Sequence, residues 1–287
     1  MPDYKPPAKD MQFVIEELAD LAALNALPVF EDATPDLVEA VLEQAGVLAS
    51  EVFSPLNHPG DHHGTRVEDG IVVSPPGYAE AYRQCVDNGW QGIGKSVEIG
   101  GQGMPFLVHS AVAEMWYASN MAFALCPLLT SGAIEAIESH APEALQDLYL
   151  PRMISGEWSG TMNLTEPQAG TDLAAIKTRA TRDGDRYRVH GQKIYITWGE
   201  HEMSDNIIHL VLARLPDAPP GVKGISLFLV PKYLVNADGS RGERNDLRVV
   251  SVESKLGIHS SPTCVMAYGD NDGAIGYLVG EEHQGLA

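Results

Sequence analysis

Two acids, Glu166 and Asp172, flank a proline and a glycine in TMNLTEPQAGTDL, residues 161–173, where the other side chains are small or hydroxylated and no base or cysteine is near. A turn of this kind either bends the chain or holds a flat polar group against its N–H groups and hydroxyls. Pro167 keeps the backbone at Glu166 extended. The Glu166 carboxylate then has two readings, as an acceptor of turn N–H groups that organises the loop or as a catalytic base. No sequence neighbour would raise its pKa, which favours the first. A second stretch, KIYITWG at 193–199, also ends in threonine plus a turn residue and carries Tyr195. Together the two stretches offer hydroxyls and N–H groups to the edge of a planar polar ring, with Tyr195 and Ile196 as its flat wall.

Other chemistry-bearing groups have weaker patterns. GGQG at 100–103 lacks the Lys-Ser or Lys-Thr of a phosphate loop and reads as a tight turn between helices. His62-His63, and His201 between Glu200 and Glu202, have neither i, i+4 spacing nor a third ligand, so they read as solvated loop residues rather than metal ligands. No G-x-S-x-G elbow supports hydrolase chemistry. Cys85, Cys126 and Cys264 are widely spaced with no C-x-x-C, which reads as buried free thiols in a reducing compartment.

The elements that must position these residues change type halfway along. Met11, Val14, Ile15, Leu18, Leu21 and Ala22 recur at helix spacing, and Thr34-Pro35 is an N-cap and N1 pair opening a run through Leu48. Further helices fit from Ser74-Pro75 to Gly89, Phe106 to Met121, Pro127 to Ser139 and Pro142 to Leu150, making a bundle of about six helices. From about Gly156 the apolar period becomes two. IKTRATRDGDRYRVHGQKIYIT turns at Asp183-Gly184, and NIIHLVLARL, KGISLFLVPKYL, LRVVSVESKLGI and TCVMAYG follow as strands. The expected fold is α+β: an N-terminal all-α helical domain over 1–155, then a small antiparallel β-barrel or sandwich domain over 156–287 with solvent on one face. ADGSRGERND, 237–246, reads as a mobile surface loop.

The chain has 287 residues, 44% of them apolar, which suffices for a sizeable core. Nineteen basic against 39 acidic side chains give a formal charge of −20. That field repels nucleic acid and anionic membranes, but a local anion site remains compatible with it. The start has no signal-peptide core and no later run reads as a membrane span, so the expected location is cytoplasmic.

In combination these stretches resemble the acyl-CoA dehydrogenase flavoproteins. TMNLTEPQAGTDL is similar to the family's T-E-P-x-A-G-S-D segment and GQKIYITWG to its G-x-K-x-[WFY]-I-[TS]-x-[GA] segment, in the same order and separated by a charged hairpin. LYLPRMISGEW, KLGIHSSPTCVMAYG and GYLVGEEHQGLA match further parts, and FEDATPDLV and NIIHLVLARLPDAPPGVKGISLFLVPK resemble the longer bacterial branch that includes 3-methylmercaptopropionyl-CoA dehydrogenases. The resemblance implies FAD as cofactor, an acyl-CoA thioester oxidised to the trans-2-enoyl-CoA, an electron-transfer flavoprotein or similar acceptor, and a homo-oligomer at full length. An acyl-CoA oxidase, other flavin chemistry on the same fold, or a non-catalytic flavin- or CoA-binding partner subunit are the alternatives.

Carried over by position, Met162, Leu164 and Thr165 would lie along the isoalloxazine, with Gly170 in the same loop. Thr171, where the family usually has serine, would meet the pyrophosphate or the pantetheine of the substrate. Tyr195 would take the place of the aromatic packed on the flavin, beside Ile196, and Thr197 would bond near N5. Glu166 matches an acid that is structural in the family. Gln168 and Trp198 replace a small residue and an asparagine, which implies tighter loop packing. The family's catalytic glutamate lies in a C-terminal helical domain that would begin where this sequence stops, so no residue here takes the catalytic role, and the 287 residues read as an inactive part of the enzyme.

Overall fold

The computed structural model describes residues 4–286. The N-terminal half is helical: α1 (Ala8–Phe13), α2 (Leu21–Asn25), α3 (Pro35–Val47), α4 (Ser54–His63), α5 (Tyr78–Asp87), α6 (Phe106–His140) and α7 (Glu143–Ser155). Thr34 caps α3 as its sequence position predicts, its hydroxyl accepting from Leu37 N, with Pro35 at N1. A wide π-type turn, Leu48–Phe53, carries α3 into α4.

His62 and His63 therefore stand on the last turn of α4 and not in a loop. The run NHPGDHH has no apolar period to reveal that helix; it is held by continuity with the preceding turn and by Gly60, where an added Cβ would meet the Tyr78 hydroxyl at 2.7 Å. A short hairpin, β1 (Arg66–Glu68) and β2 (Ile71–Val73), interrupts the helical half. Its turn residues Asp69 and Gly70 both have positive φ, the D-G signature of a tight hairpin.

The two helices expected over 106–139 are one rod broken at Asn120, whose φ/ψ of −156°/83° is not helical. The Asn120 carboxamide replaces the lost helix bonds, accepting from Phe123 N at 3.1 Å and donating to Phe53 O at 3.2 Å. Asn120 rather than Pro127 thus starts the second segment. Unlike the sequence reading, α6 is long and apolar enough to cross a membrane, yet 56% of its most apolar window is buried inside the protein, as in the core helix of a globular fold.

The C-terminal half is sheet: β3 (Trp158–Asn163), β4 (Arg179–Asp183), β5 (Arg186–Thr197), β6 (Asn206–Arg214), β7 (Ile225–Pro231), β8 (Tyr233–Val235), β9 (Arg241–Arg244), β10 (Leu247–Val252), β11 (Thr263–Tyr268) and β12 (Ala274–Val279). β4 pairs with both β5 and β6, and β5–β12–β7–β6 completes the circuit, so five strands close into a barrel. β11 and β10 extend β5 beyond the ring, while β3 runs parallel to β6. β9 pairs with β8, so only the first part of the expected 237–246 loop, residues 237–240, is a turn; Arg241 and Arg244 lie over the Tyr233 ring at 4.8 and 5.7 Å and hold this ribbon.

The expectation of one solvated sheet face fails at the centre, where β6, β7 and β11 are buried on both sides. Along β6 and β7, Ile208, Leu210, Leu212, Leu227 and Leu229 pack with Ile134, Ile137 and Met153 of α6 and α7. Val211, Ala213, Phe228 and Val230 alternate with them and fill the barrel with Val189. The helices cover the outer face. β3 sits directly on α6, because an added Cβ on Gly160 would lie 2.5 Å from the Ala133 Cβ, and Gly160 N donates to the Thr130 hydroxyl at 3.0 Å.

Candidate functional site

The fold brings the two motif stretches to one edge. Ile194 N donates to Thr165 O at 2.9 Å, and the Thr161 hydroxyl donates to Thr197 O at 2.7 Å, so the loop after β3 runs beside the end of β5. Thr165 and Thr197 are half-buried, Gly170 and Thr171 exposed. Met162 and Leu164 are half-buried against the α6–α7 core. Ile196 differs from the flat-wall expectation, because its side chain is 2% exposed inside the barrel and only its backbone reaches the edge. Among the described residues, no hydrogen bond engages the hydroxyls of Thr165, Thr171 or Thr197. An added Cβ on Gly170 would meet nothing within 4 Å.

Tyr195 is the strained member of the group. Its φ is +59°, a region that disfavours a bulky residue by roughly 1–2 kcal/mol, and the residue is 58% exposed. The cause is a β-bulge: β11 pairs Cys264 with Ile196 but Met266 with Lys193, so Ile194 and Tyr195 together oppose the single Val265. Trp198 also has positive φ, yet it is buried in the helical core with its indole N–H donating to Ala122 O at 3.0 Å. It locks the end of β5 to α6 rather than tightening the loop.

Glu166 is 3% exposed and fully engaged. It accepts from Lys177 N at 2.6 Å, Thr178 N at 3.0 Å, Gln168 Nε2 at 2.5 Å and Lys193 Nζ at 2.9 Å. Burial opposes its charge, yet the Lys193 ammonium and these donors hold the carboxyl below its ordinary range. Reciprocal bonds between Glu166 and Ala169 close the turn, and Asp172 caps the next short helix by accepting from Ala174 N. Both acids that stand out in the sequence thus organise backbone.

A second buried cluster lies behind β3. Glu200 and His201 are fully buried, contrary to the solvated reading. Glu200 takes bonds from Lys232 and, at 3.4 Å, Arg244, while His201 Nε2 bonds Ser159 Oγ at 2.9 Å. Burial first, then Lys232, push His201 down to about 3, and the same causes act on His209, also about 3, which contacts Tyr268 at 3.1 Å. Both imidazoles are neutral. The described residues contain no group of three or more metal-ligating side chains. The run NIIHLVLAR, with one histidine inside an apolar strand, was the available signal for His209. Glu200 gave none, since its partners lie far along the chain. All three cysteines are buried and free, and burial raises their thiols.

A helical half seated on a closed five-stranded barrel, with uncommitted hydroxyls and an exposed aromatic along one edge, defines the class of protein. Its sequence carries the acyl-CoA dehydrogenase N-terminal domain over residues 65–157 and the middle domain over 161–270, more than half of the chain. The chain belongs to the acyl-CoA dehydrogenase family. It is 48% identical over 284 residues to the 3-methylmercaptopropionyl-CoA dehydrogenase of Ruegeria pomeroyi, covering 99% of this chain and 48% of that protein. The solved structure of Caenorhabditis elegans ACDH-11 in complex with C11-CoA shares the fold at TM-score 0.78 and 22% identity, over 99% of this chain and 48% of that one. An acyl-CoA dehydrogenase complexed with FAD from Bacillus anthracis does so at 0.67 and 20%, over 87% and 38%. The chain spans about half the length of the curated relatives it matches.

Proposed function

We propose that this chain supplies the helical domain, residues 1–155, and the β-domain, 156–287, of an FAD-dependent dehydrogenase that converts an acyl-CoA thioester to its trans-2-enoyl-CoA. The observation that carries the reading is the juxtaposition of Thr165, Thr197 and the exposed, strained Tyr195 at one edge, each hydroxyl without a hydrogen bond among the described residues. This donor set suits a neutral, planar, polar ring: it has hydroxyls and an aromatic face but no metal-type ligand group. Met162, Leu164, Thr165, Gly170, Tyr195, Ile196 (through its backbone) and Thr197 would hold FAD, and Thr171 would reach the pyrophosphate or the CoA pantetheine. When bound, the flavin supplies the acceptor for a hydride from the acyl β-carbon.

The chain's own residues position and exclude. Tyr195 would cover one ring face, and the Thr165 and Thr197 hydroxyls would fix its edge. Glu166 is not free to take a substrate proton, because all its bonding goes to Lys193, Gln168 and two backbone N–H groups. No residue of this chain is assigned as the base. An electron-transfer flavoprotein as acceptor, a homo-oligomeric assembly and a cytoplasmic location complete the proposal; the −20 charge supports the exclusion of nucleic acid.

The test is to purify the protein from its complete reading frame and add acyl-CoA without oxygen. A bound flavin that loses its visible absorbance on addition is expected. A protein that purifies without flavin and takes up none would sink the reading, and peroxide release in air would move it to an oxidase.

A further inference from the structure

Lys193 carries a charge with no solvent contact, in the middle of the strand that presents Tyr195. Its ammonium donates to Leu164 O and to Glu166 Oε1, both at 2.9 Å. Glu166 in turn gathers the other end of the loop through Lys177 N and Thr178 N. One buried ion pair therefore gathers the start of the loop, its end and β5. On either side of this pair, the loop carries Thr165, and the strand continues through Ile194, whose N–H bonds Thr165 O, to Tyr195 at φ +59°. A bulge with a bulky residue in the left-handed region persists only where surrounding contacts over-determine it. The inward pull on Lys193 supplies that constraint, because a regular β5 would bring its residues back into step with β11, where Ile194 and Tyr195 now share one partner.

We infer that Lys193 is a positioning residue whose buried pairing with Glu166 sets where Thr165 and Tyr195 stand toward the flavin. The inference rests on the flavin reading above. Lysine suits the place: a compact ammonium on a flexible stem reaches a carbonyl and a carboxylate at once, whereas a planar guanidinium asks for a wider site. The titratable side chain facing Glu166 is Lys193 from β5; its other partners are the Gln168 amide and the N–H groups of Lys177 and Thr178.

The experiment uses the protein from its complete reading frame, stripped of flavin and titrated with FAD at pH 8 and pH 6. Flavin fluorescence gives the affinity, and visible circular dichroism reports the ring's surroundings. Wild type binds equally at both pH values. Lys193→Met is expected to bind about tenfold more weakly at pH 8, the scale of one lost charge-assisted bond. It should weaken further at pH 6, where Glu166, now buried without its cation, takes up a proton, and its flavin dichroism should change shape. The double variant Glu166→Gln/Lys193→Met removes that pH dependence. A purely structural role predicts a lower melting temperature with unchanged flavin dichroism and no pH dependence of binding. If Lys193→Met does not fold, Glu166→Gln is measured in its place and should show altered dichroism without pH dependence. Unaltered affinity and dichroism in a folded variant overturns the inference, while wild type failing to bind FAD overturns the flavin reading instead.

Discussion

The chain buries two glutamates against lysines, and the two pairs differ in what surrounds them. Glu166 and Lys193 sit beneath a loop whose hydroxyls are left free, with a strained tyrosine two residues from the lysine. Glu200 and Lys232 sit behind β3 in a network where Ser159 bonds both His201 and Ser204 and, among the described residues, no strained side chain reaches solvent. A buried ion pair is weak support for net stability, because desolvation offsets the attraction. The contrast suggests that the first pair holds a site in shape and the second only joins the barrel end to its edge strands.

The largest effect expected is from breaking the second pair. Lys232→Met leaves the buried Glu200 carboxylate with the His201 N–H and only the distant Arg244 as a cation, which should cost about 3–5 kcal/mol in urea unfolding while leaving flavin affinity of the folded fraction unchanged. A loss of affinity there would erase the distinction between the pairs.

Acid should act next, and mainly on the second cluster. His201 and His209 have folded pKa values near 3 against 6.5 unfolded, so the unfolded chain binds more protons between those limits. Their contribution is complete above pH 6.5 and is lost as pH falls toward 3, at up to about 1.4 kcal/mol per pH unit for each histidine. Glu166, held below its ordinary value, follows the carboxylate pattern: its contribution is present above the unfolded 4.5 and is lost as pH falls through the folded value. Urea midpoints from pH 7.5 to 5 should therefore slope downward before Glu166 titrates, and His209→Gln should flatten that slope. A flat wild-type profile would refute the burial of neutral imidazoles.

Tyr195→Asn separates stability from site. Asparagine tolerates the left-handed backbone, so the variant should gain about 0.5–1 kcal/mol in unfolding while losing the ring that would cover the flavin. A destabilised variant would mean that the tyrosine is held by contacts beyond the bulge. The smallest effect is set by exposed pairs: Arg248→Ala, which breaks a 2.6 Å contact with Asp270 between half-exposed partners, should stay within about 1 kcal/mol.

Local signals were legible where cause and effect are close in sequence. The Thr34-Pro35 cap, the hairpin turn, which falls one residue later than expected at Gly184-Asp185, the change of period near Gly156 and the loop-organising bonds of Glu166 all depend on residues within a dozen positions of one another, apart from Lys193. The Glu200 cluster was misread because its cations come from residues 232 and 244, and a charged triplet of E-H-E in isolation looks solvated. The break at Asn120 was missed because asparagine in an apolar run signals a cap only once Phe53 and Tyr78 stand beside it. Burial of both sheet faces depended on α6 and α7 covering the barrel, which no strand pattern states by itself.

Gly160 carries one more consequence. The strand that leads into the loop touches α6 where a hydrogen replaces a side chain, so this spacer sets the separation of the two halves at its minimum. Any larger residue would act as a wedge, tilting β3 off the helix and carrying Met162 and Thr165 with it. The relative height of helix and loop is thus calibrated at one atom, and alanine there would serve as a graded probe of how much misalignment the site tolerates.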